Sequence, residues 1–377
     1  MSTIKNPFVI LGYSGPEYFC DREEETKQLI RFLVNGNNTV LMSPRRMGKT
    51  GLISHVFAQP EIKDEYYTFL VDIYSTKNLN DLVNALADQI IHVVASRGEK
   101  ALQRFLQAVS TLRATMSFDP FGNPSWGIES GSIHYPDATL SQIFDYIEAA
   151  DKPCIVAIDE FQQITYYPEK NVEATLRTKI QHCRNGLFIF SGSERSILAQ
   201  MFHTPSRPFF ASTSTMPLGV IPFEKYLPFI KKHFNAAGKD IDEESIRYTY
   251  DTFEGITWYI QKVMNTAYDM TERGECCVKD DIVLAIQNII KSNTLLYKDL
   301  LYQLTPRQRD LLVAVAHEDK ARELKGQTFI RRYNLSSPSS ISGNVNSLLE
   351  KQLLTRNLDV YEVYDKFLRL WIVGGQK

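Results

Sequence analysis

The sequence predicts an α/β core built on a parallel sheet, followed by an all-helical region and then a small helical unit closed by a hairpin. Three observations predict it. Over about the first 220 residues, apolar runs of strand length alternate with helical patterns, as in βαβ architectures. From Pro222 onward the strand patterns give way to helical ones. The closing stretch, from near Leu304, reads as helices followed by two short runs around a turn.

Taken in chain order, a helix is expected over Glu23 to Asn35, a strand over Thr39 to Met42, a loop over Ser43 to Gly48 and a helix opening at Lys49. The pattern repeats with a strand at Tyr67 to Ile73 and a helix at Leu79 to Ser96. Two further strands follow at Cys154 to Ile158 and Leu187 to Ser191, separated by helix-like sequence around Val172 to Cys183. Such unbroken apolar runs are what a parallel sheet covered by helices on both faces requires. Between Thr115 and His134 the stretch Met116 to Trp126, with Pro120, Gly122 and Pro124, reads as an inserted hairpin. Helices are expected at Phe223 to Phe234, Glu243 to Thr252 and Ile256 to Glu272, a helical lid. Helix-like segments at Pro306 to His317, Phe329 to Tyr333 and Ser339 to Lys351 then precede runs at Leu353 to Arg356 and Val360 to Tyr364, the order of a winged helix. The expected domains are therefore residues 1–221, 222–300 and 301–377.

Composition narrows the class. With 377 residues, 44% apolar and 23% charged, the chain has enough apolar surface for more than one core and is neither fibrous nor disordered in character. The formal charge of -2 argues against whole-molecule affinity for nucleic acid or an anionic membrane. No basic leader precedes a long apolar segment, and no run approaches the length of a membrane span. The five cysteines lack metal-ligand spacing, which fits a reduced, cytoplasmic setting. Cys154 and Cys183 read as small buried hydrophobes.

The chemistry concentrates at Ser43-Pro44-Arg45-Arg46-Met47-Gly48-Lys49-Thr50, with Gly51 continuing the helix. A phosphate chain needs closely spaced backbone N–H donors, a fixed positive charge and a magnesium ligand. Gly48 lets the backbone approach the phosphates, and the helix start adds N–H groups and dipole. Lys49 would reach the β- and γ-phosphates, and Thr50 would coordinate Mg2+. A Gly-Lys-Thr triplet alone is weak. Its context is stronger, because a second motif follows at Cys154-Ile155-Val156-Ala157-Ile158-Asp159-Glu160. A carboxylate ending a buried strand is costly unless it has a task, and holding the metal shell is the task for Asp159. Glu160 would then polarise the attacking water. ATP and Mg2+ are the expected ligands.

These residues resemble a known group. The Arg-Arg-x-Gly-Lys-Thr loop, the Asp-Glu-Phe-Gln run at 159 to 162 and the Asp-Arg-Glu-x-Glu run at 21 to 25 are similar to archaeal-type ATPases, which belong to the STAND ATPases within the AAA+ superfamily. The end segment Val360 to Trp371 resembles that group's closing winged-helix signature. The resemblance implies a P-loop NTPase core and an ATP-dependent switch; a protein partner or self-association in the ATP state is expected for such a switch. It places Asp21, Arg22 and Glu23 near the adenine, Ser191 or Ser193 as the polar sensor, and the Gly255 region in the lid. Three positions depart from the group's pattern. Ser43 stands where the loop usually begins with glycine, Gly255-Ile256-Thr257 replaces Gly-x-Pro, and Ala211-Ser212 occupies a place where arginine is frequent. Arg207 and Arg195 are the nearest arginines for a catalytic role, Arg207 being the candidate.

Two other readings follow from the same residues. Residues 290–377 carry 14 Lys and Arg against 9 Asp and Glu, about +5, leaving about -7 for the remainder. That favours an ATP-regulated DNA-binding protein, with Arg331 and Arg332 on phosphates and Asn344 and Asn346 on base edges. Against it, Pro338 to Glu350 contains no Lys or Arg. Ser43 and the absent arginine motivate the other alternative, a nucleotide-binding scaffold without turnover.

Overall fold

The computed structural model describes residues 6–112, 114–118, 124–128 and 133–375. Its contacts divide the chain into two units, one formed by Val9–Tyr226 with Gly255–Tyr259, the other by Leu227–Glu254 and Ile260–Lys377 with the start of the chain.

The first unit runs α1 (Glu23–Val34), β1 (Thr39–Met42), α2 (Lys49–Phe57), α3 (Pro60–Lys63), β2 (Tyr67–Asp72), α4 (Leu79–Ala95) and α5 (Glu99–Ala108). It continues with β3 (Ala114–Phe118), β4 (Pro124–Ile128), α6 (Pro136–Glu148), β5 (Cys154–Asp159), α7 (Val172–His182), β6 (Gly186–Gly192), α8 (Arg195–His203) and β7 (Ser214–Pro217). Five strands form one parallel sheet in the order β2-β5-β6-β1-β7. Every residue of β1 and β5 is buried, whereas the edge strands β2 and β7 carry exposed positions, as a sheet covered on both faces and open at its edges requires.

Side-chain alternation splits this core in two. Val40, Val156, Ile158 and Phe190 join one cluster, and Leu41, Ile155, Ala157 and Ile189 join the other, where α1 and α2 contribute Leu29, Leu33, Leu52, Ile53 and Val56. In the first cluster Phe190 lies 4.5 Å from Phe161, 5.2 Å from Phe202 and 5.3 Å from Phe209 between ring centroids. Phe190→Ala is therefore expected to lower stability by about 3–5 kcal/mol, read from the midpoint of urea unfolding.

The expected hairpin is present as antiparallel β3 and β4, with Met116 opposite Trp126. Its turn falls outside the described residues. Helices α5, α6 and α8 were not singled out by sequence patterning, although α6 has Pro136 at its first turn, a usual start signal.

The second unit contains α9 (Phe223–Ala236), which opens in the first, then β8 (Asp240–Ile241), α10 (Glu243–Thr252), α11 (Thr257–Met270), whose opening residues Thr257 to Tyr259 belong to the first, β9 (Cys276–Cys277) and α12 (Lys279–Tyr302). It closes with α13 (Pro306–Glu318), α14 (Gln327–Arg332), α15 (Pro338–Glu350), β10 (Leu354–Asn357), β11 (Val360–Val363) and α16 (Lys366–Val373). Three helices followed by the antiparallel β10–β11 hairpin give the winged-helix order expected from sequence. A two-residue parallel pairing of β8 with β9 is a further feature of this unit. Glu254, just after α10, pairs with Lys320 at 2.6 Å and with the buried Lys366 at 2.7 Å, tying the end of α10 to the segment before α14 and to α16. Among the described residues no helix is long and apolar enough to cross a membrane.

Candidate nucleotide-binding and active site

The parallel register brings the ends of four strands together. Met42 of β1 lies beside Gly192 of β6, and Asp72 of β2 beside Asp159 of β5. The loop after β1 therefore opens at the carboxyl edge of the sheet, the edge at which open α/β sheets take ligands.

Gly48, at φ 88°, precedes the first turn of α2, a left-handed conformation that suits glycine and lets the chain turn sharply into the helix. Arg46 adopts φ 68° without that freedom. Lys49 is only 6% exposed, and its Nζ donates to the carbonyls of Ser43 at 3.3 Å and Pro44 at 3.2 Å. The ammonium thus folds back across the loop. Burial lowers its pKa, while the charges of Glu160 and Asp159 act in the opposite direction and Arg45 adds to the lowering.

Thr50 and Asp159 meet directly. Thr50 Oγ1 donates to Asp159 Oδ2 at 2.6 Å, and Ser191 Oγ donates to Asp159 Oδ1 at 2.6 Å. The Glu160 N–H also donates to Asp159 Oδ1, at 3.0 Å. Both oxygens of this buried carboxylate therefore have donors, from the P-loop helix, the end of β6 and its own neighbour. Glu160 sits at φ 56°, so the chain turns as β5 ends and the side chain reaches Ser193, whose hydroxyl donates to Glu160 Oε2 at 2.8 Å. Gln162 Nε2 donates to the same oxygen.

Arg45 and Arg46 both have partners. Arg45 Nε donates to Ser193 Oγ at 3.0 Å, and its guanidinium lies 5.1 Å from the Tyr74 ring centroid. Arg46 packs over Trp258 at 4.5 Å and Tyr259 at 4.8 Å and hydrogen-bonds the Tyr259 hydroxyl. Arg22 is 2% exposed; its guanidinium donates to Glu25 at 2.7 Å, to the Met47 carbonyl at 3.2 Å and to the Gly219 carbonyl at 2.7 Å. Asp21 pairs with Lys225 at 3.2 Å. Phe19 lies 3.5 Å from where a Cβ on Gly51 would stand. Arg207 is held by Glu173 at the start of α7.

The structure thus brings Ser43, Pro44, Lys49, Thr50, Asp159, Glu160, Ser191 and Ser193 into one network. Sequence reading missed several members of it. Asp72 ends β2 beside Asp159, and its carboxyl pKa is raised by burial and by the charges of Asp159 and Glu160. Its acidic end is less conspicuous than that of β5, because β2 is only partly buried along its length. Tyr74, Trp258 and Tyr259 gave no signal, because their contacts with Arg45 and Arg46 are long-range in sequence.

Comparison with known proteins agrees with this geometry. Residues 19–263 match the family described as an ATPase domain predominantly from Archaea, and residues 295–374 match a probable winged helix domain. No curated protein sequence matches the chain. Among solved structures, the Walker-type ATPase PABY2304 of Pyrococcus abyssi superposes with TM-score 0.65 and 18% identity, over 97% of this chain and 99% of that one. The Aeropyrum pernix ORC2 protein, solved as ADPNP-ADP complexes, gives TM-score 0.61 and 13% identity over 99% and 98%. The Aeropyrum pernix ORC1 protein, solved in complex with DNA, gives TM-score 0.53 and 10% identity over 98% and 96%. At such identities these likenesses speak to the fold: an α/β P-loop core with a winged helix at the end. With the family match covering well over half its length, the chain belongs to the family of P-loop ATPases found predominantly in Archaea.

Proposed function

We propose that this ATPase is a nucleotide-driven switch of the STAND type, binding ATP with Mg2+ at Ser43 to Gly51 and passing its nucleotide state to the helical lid and winged helix. The observation that carries the reading is the 2.6 Å contact of Thr50 with Asp159, which sets two hard oxygen donors together beside the P-loop lysine. That donor pair fits magnesium. Held there by Thr50 and Asp159, magnesium would supply positive charge against that of the phosphates.

The chain's own groups supply the rest. The loop N–H groups and the α2 start cradle the phosphates, and Lys49 leaves the Ser43 and Pro44 carbonyls for phosphate oxygens. Glu160 accepts the proton of a water that attacks the γ-phosphorus, and the bond to the β-phosphate oxygen breaks to leave ADP and phosphate. Ser191 holds Asp159 in place. Arg45 reaches Ser193 and through it Glu160, so it adjoins both the loop and the base. Arg207, paired with Glu173, acts on the γ-phosphate only after leaving that carboxylate. Asp21 and Arg22 lie on the segment assigned to the adenine side.

A second reading, ATP-regulated DNA binding, is favoured by the winged-helix match and by the charge of about +5 over residues 290–377. The contacts of its candidate cations weigh against it. Arg332 pairs with Glu318 at 2.5 Å, and Arg331 donates to Gln327 at 3.4 Å.

Phosphate release measured with and without duplex DNA, over a range of protein concentration, tests both readings. The switch reading expects turnover without DNA. DNA stimulation that is salt-dependent and lost in Arg331→Ala with Arg332→Ala supports the second, and absence of duplex binding at low salt removes it.

A further inference from the structure

We propose that Arg22 and Thr257 are positioning residues that set the shape of the P-loop by holding the Met47 carbonyl, with Trp258 holding the Arg46 carbonyl beside it; this rests on the reading of Ser43 to Gly51 as the ATP site. A loop that turns its N–H groups toward phosphates turns carbonyls the other way, and a carbonyl facing protein needs a donor. Three donors from two distant segments supply them. The Met47 carbonyl accepts from Arg22 Nη2 at 3.2 Å and from Thr257 Oγ1 at 3.4 Å, and the Arg46 carbonyl accepts from the Trp258 N–H at 3.1 Å.

The clamp grips the loop where its backbone is least at ease. Arg46 is a non-glycine residue at φ 68°, one residue before Met47 and two before Gly48 at φ 88°. Such a conformation persists when its surroundings over-determine it. Here Trp258 and Tyr259 also hold the Arg46 side chain, at 4.5 and 4.8 Å from its guanidinium.

Arg22 is built for this purpose. Asp21 and Arg22 take φ 49° and 64°, a kink ahead of α1. The Arg22 guanidinium is 2% exposed, balanced by Glu25 at 2.7 Å, and one nitrogen spans the Met47 and Gly219 carbonyls. It therefore ties the loop to the stretch that follows β7. A planar guanidinium serves three acceptors at fixed angles, which the ammonium of lysine does not reproduce. Arg22 thus acts on nucleotide through the loop backbone.

The test is steady-state phosphate release with calorimetric MgATP titration on the full chain. Arg22→Lys is expected to raise KM and Kd about tenfold with kcat within about twofold. Thr257→Val raises both about threefold, and Thr257→Ser, which keeps the hydroxyl, restores wild-type values. Should Arg22→Lys fail to fold, the Thr257 pair decides. Unchanged KM and Kd in Thr257→Val, or a fall in kcat alone, overturns the clamp. Lys49→Ala run alongside separates the two claims: if it abolishes binding while the clamp variants bind normally, the clamp fails and the site stands. If Lys49→Ala binds as wild type, the site reading itself fails.

Discussion

Glu160→Gln is expected to lower turnover by about 10²–10⁴-fold while leaving MgATP affinity within about twofold. The substitution keeps size and shape but removes the ability to accept a proton. The surroundings support a clean separation of the two effects. The Glu160 carboxylate contacts Ser193 and Gln162, whereas the expected metal donors Thr50 and Asp159 contact each other and Ser191. An amide oxygen at Glu160 Oε2 still accepts from Ser193, so the turn after β5 is retained. Single-turnover phosphate release and calorimetry on the same preparation check it. Turnover above about a tenth of wild type would remove Glu160 from the role of base.

How much of this was legible in the sequence depended on the range of the interaction. The central strands announced themselves because each is buried along its whole length, leaving the runs Thr39–Met42 and Cys154–Asp159 without a polar break before the functional carboxylate. The P-loop was legible for a local reason as well, since strand, loop, Gly48, Lys49 and Thr50 are contiguous. Asp159 was found because an acidic end to a buried strand is conspicuous, and Asp72 escaped because β2 is an edge strand with a mixed pattern.

Contacts that join distant segments were not legible. Trp258 and Tyr259 fall within the expected helix Ile256 to Glu272, yet they cover Arg46, some 212 residues earlier in sequence. The sequence carries no sign that Arg45 meets the Ser193 hydroxyl or that Arg46 meets these two rings. Arg22 was placed by resemblance on the adenine side; only the fold reveals that its guanidinium is engaged by Glu25, Met47 and Gly219. Helix α12, with 24 residues the longest of the lid region, was hidden within a stretch recognised only as helical in general character.

Lys49→Ala carries the other large effect, an expected loss of about 10²-fold or more in MgATP affinity, about 3 kcal/mol. The lysine is buried, and its ammonium is held by the Ser43 and Pro44 carbonyls at the mouth of the loop, close enough to Glu160 and Asp159 for both charges to act on it. It supplies a concentrated positive charge inside a cradle otherwise made of backbone dipoles. Truncation leaves the fold intact, because the helix it opens is anchored by Leu52, Ile53 and Val56. The most direct measurement is a calorimetric titration of MgATP into the wild-type chain and Lys49→Ala at equal protein concentration. Saturable binding in the wild type that disappears in the variant is the predicted result, and equal affinity in the two proteins would contradict the assignment of ATP to this loop.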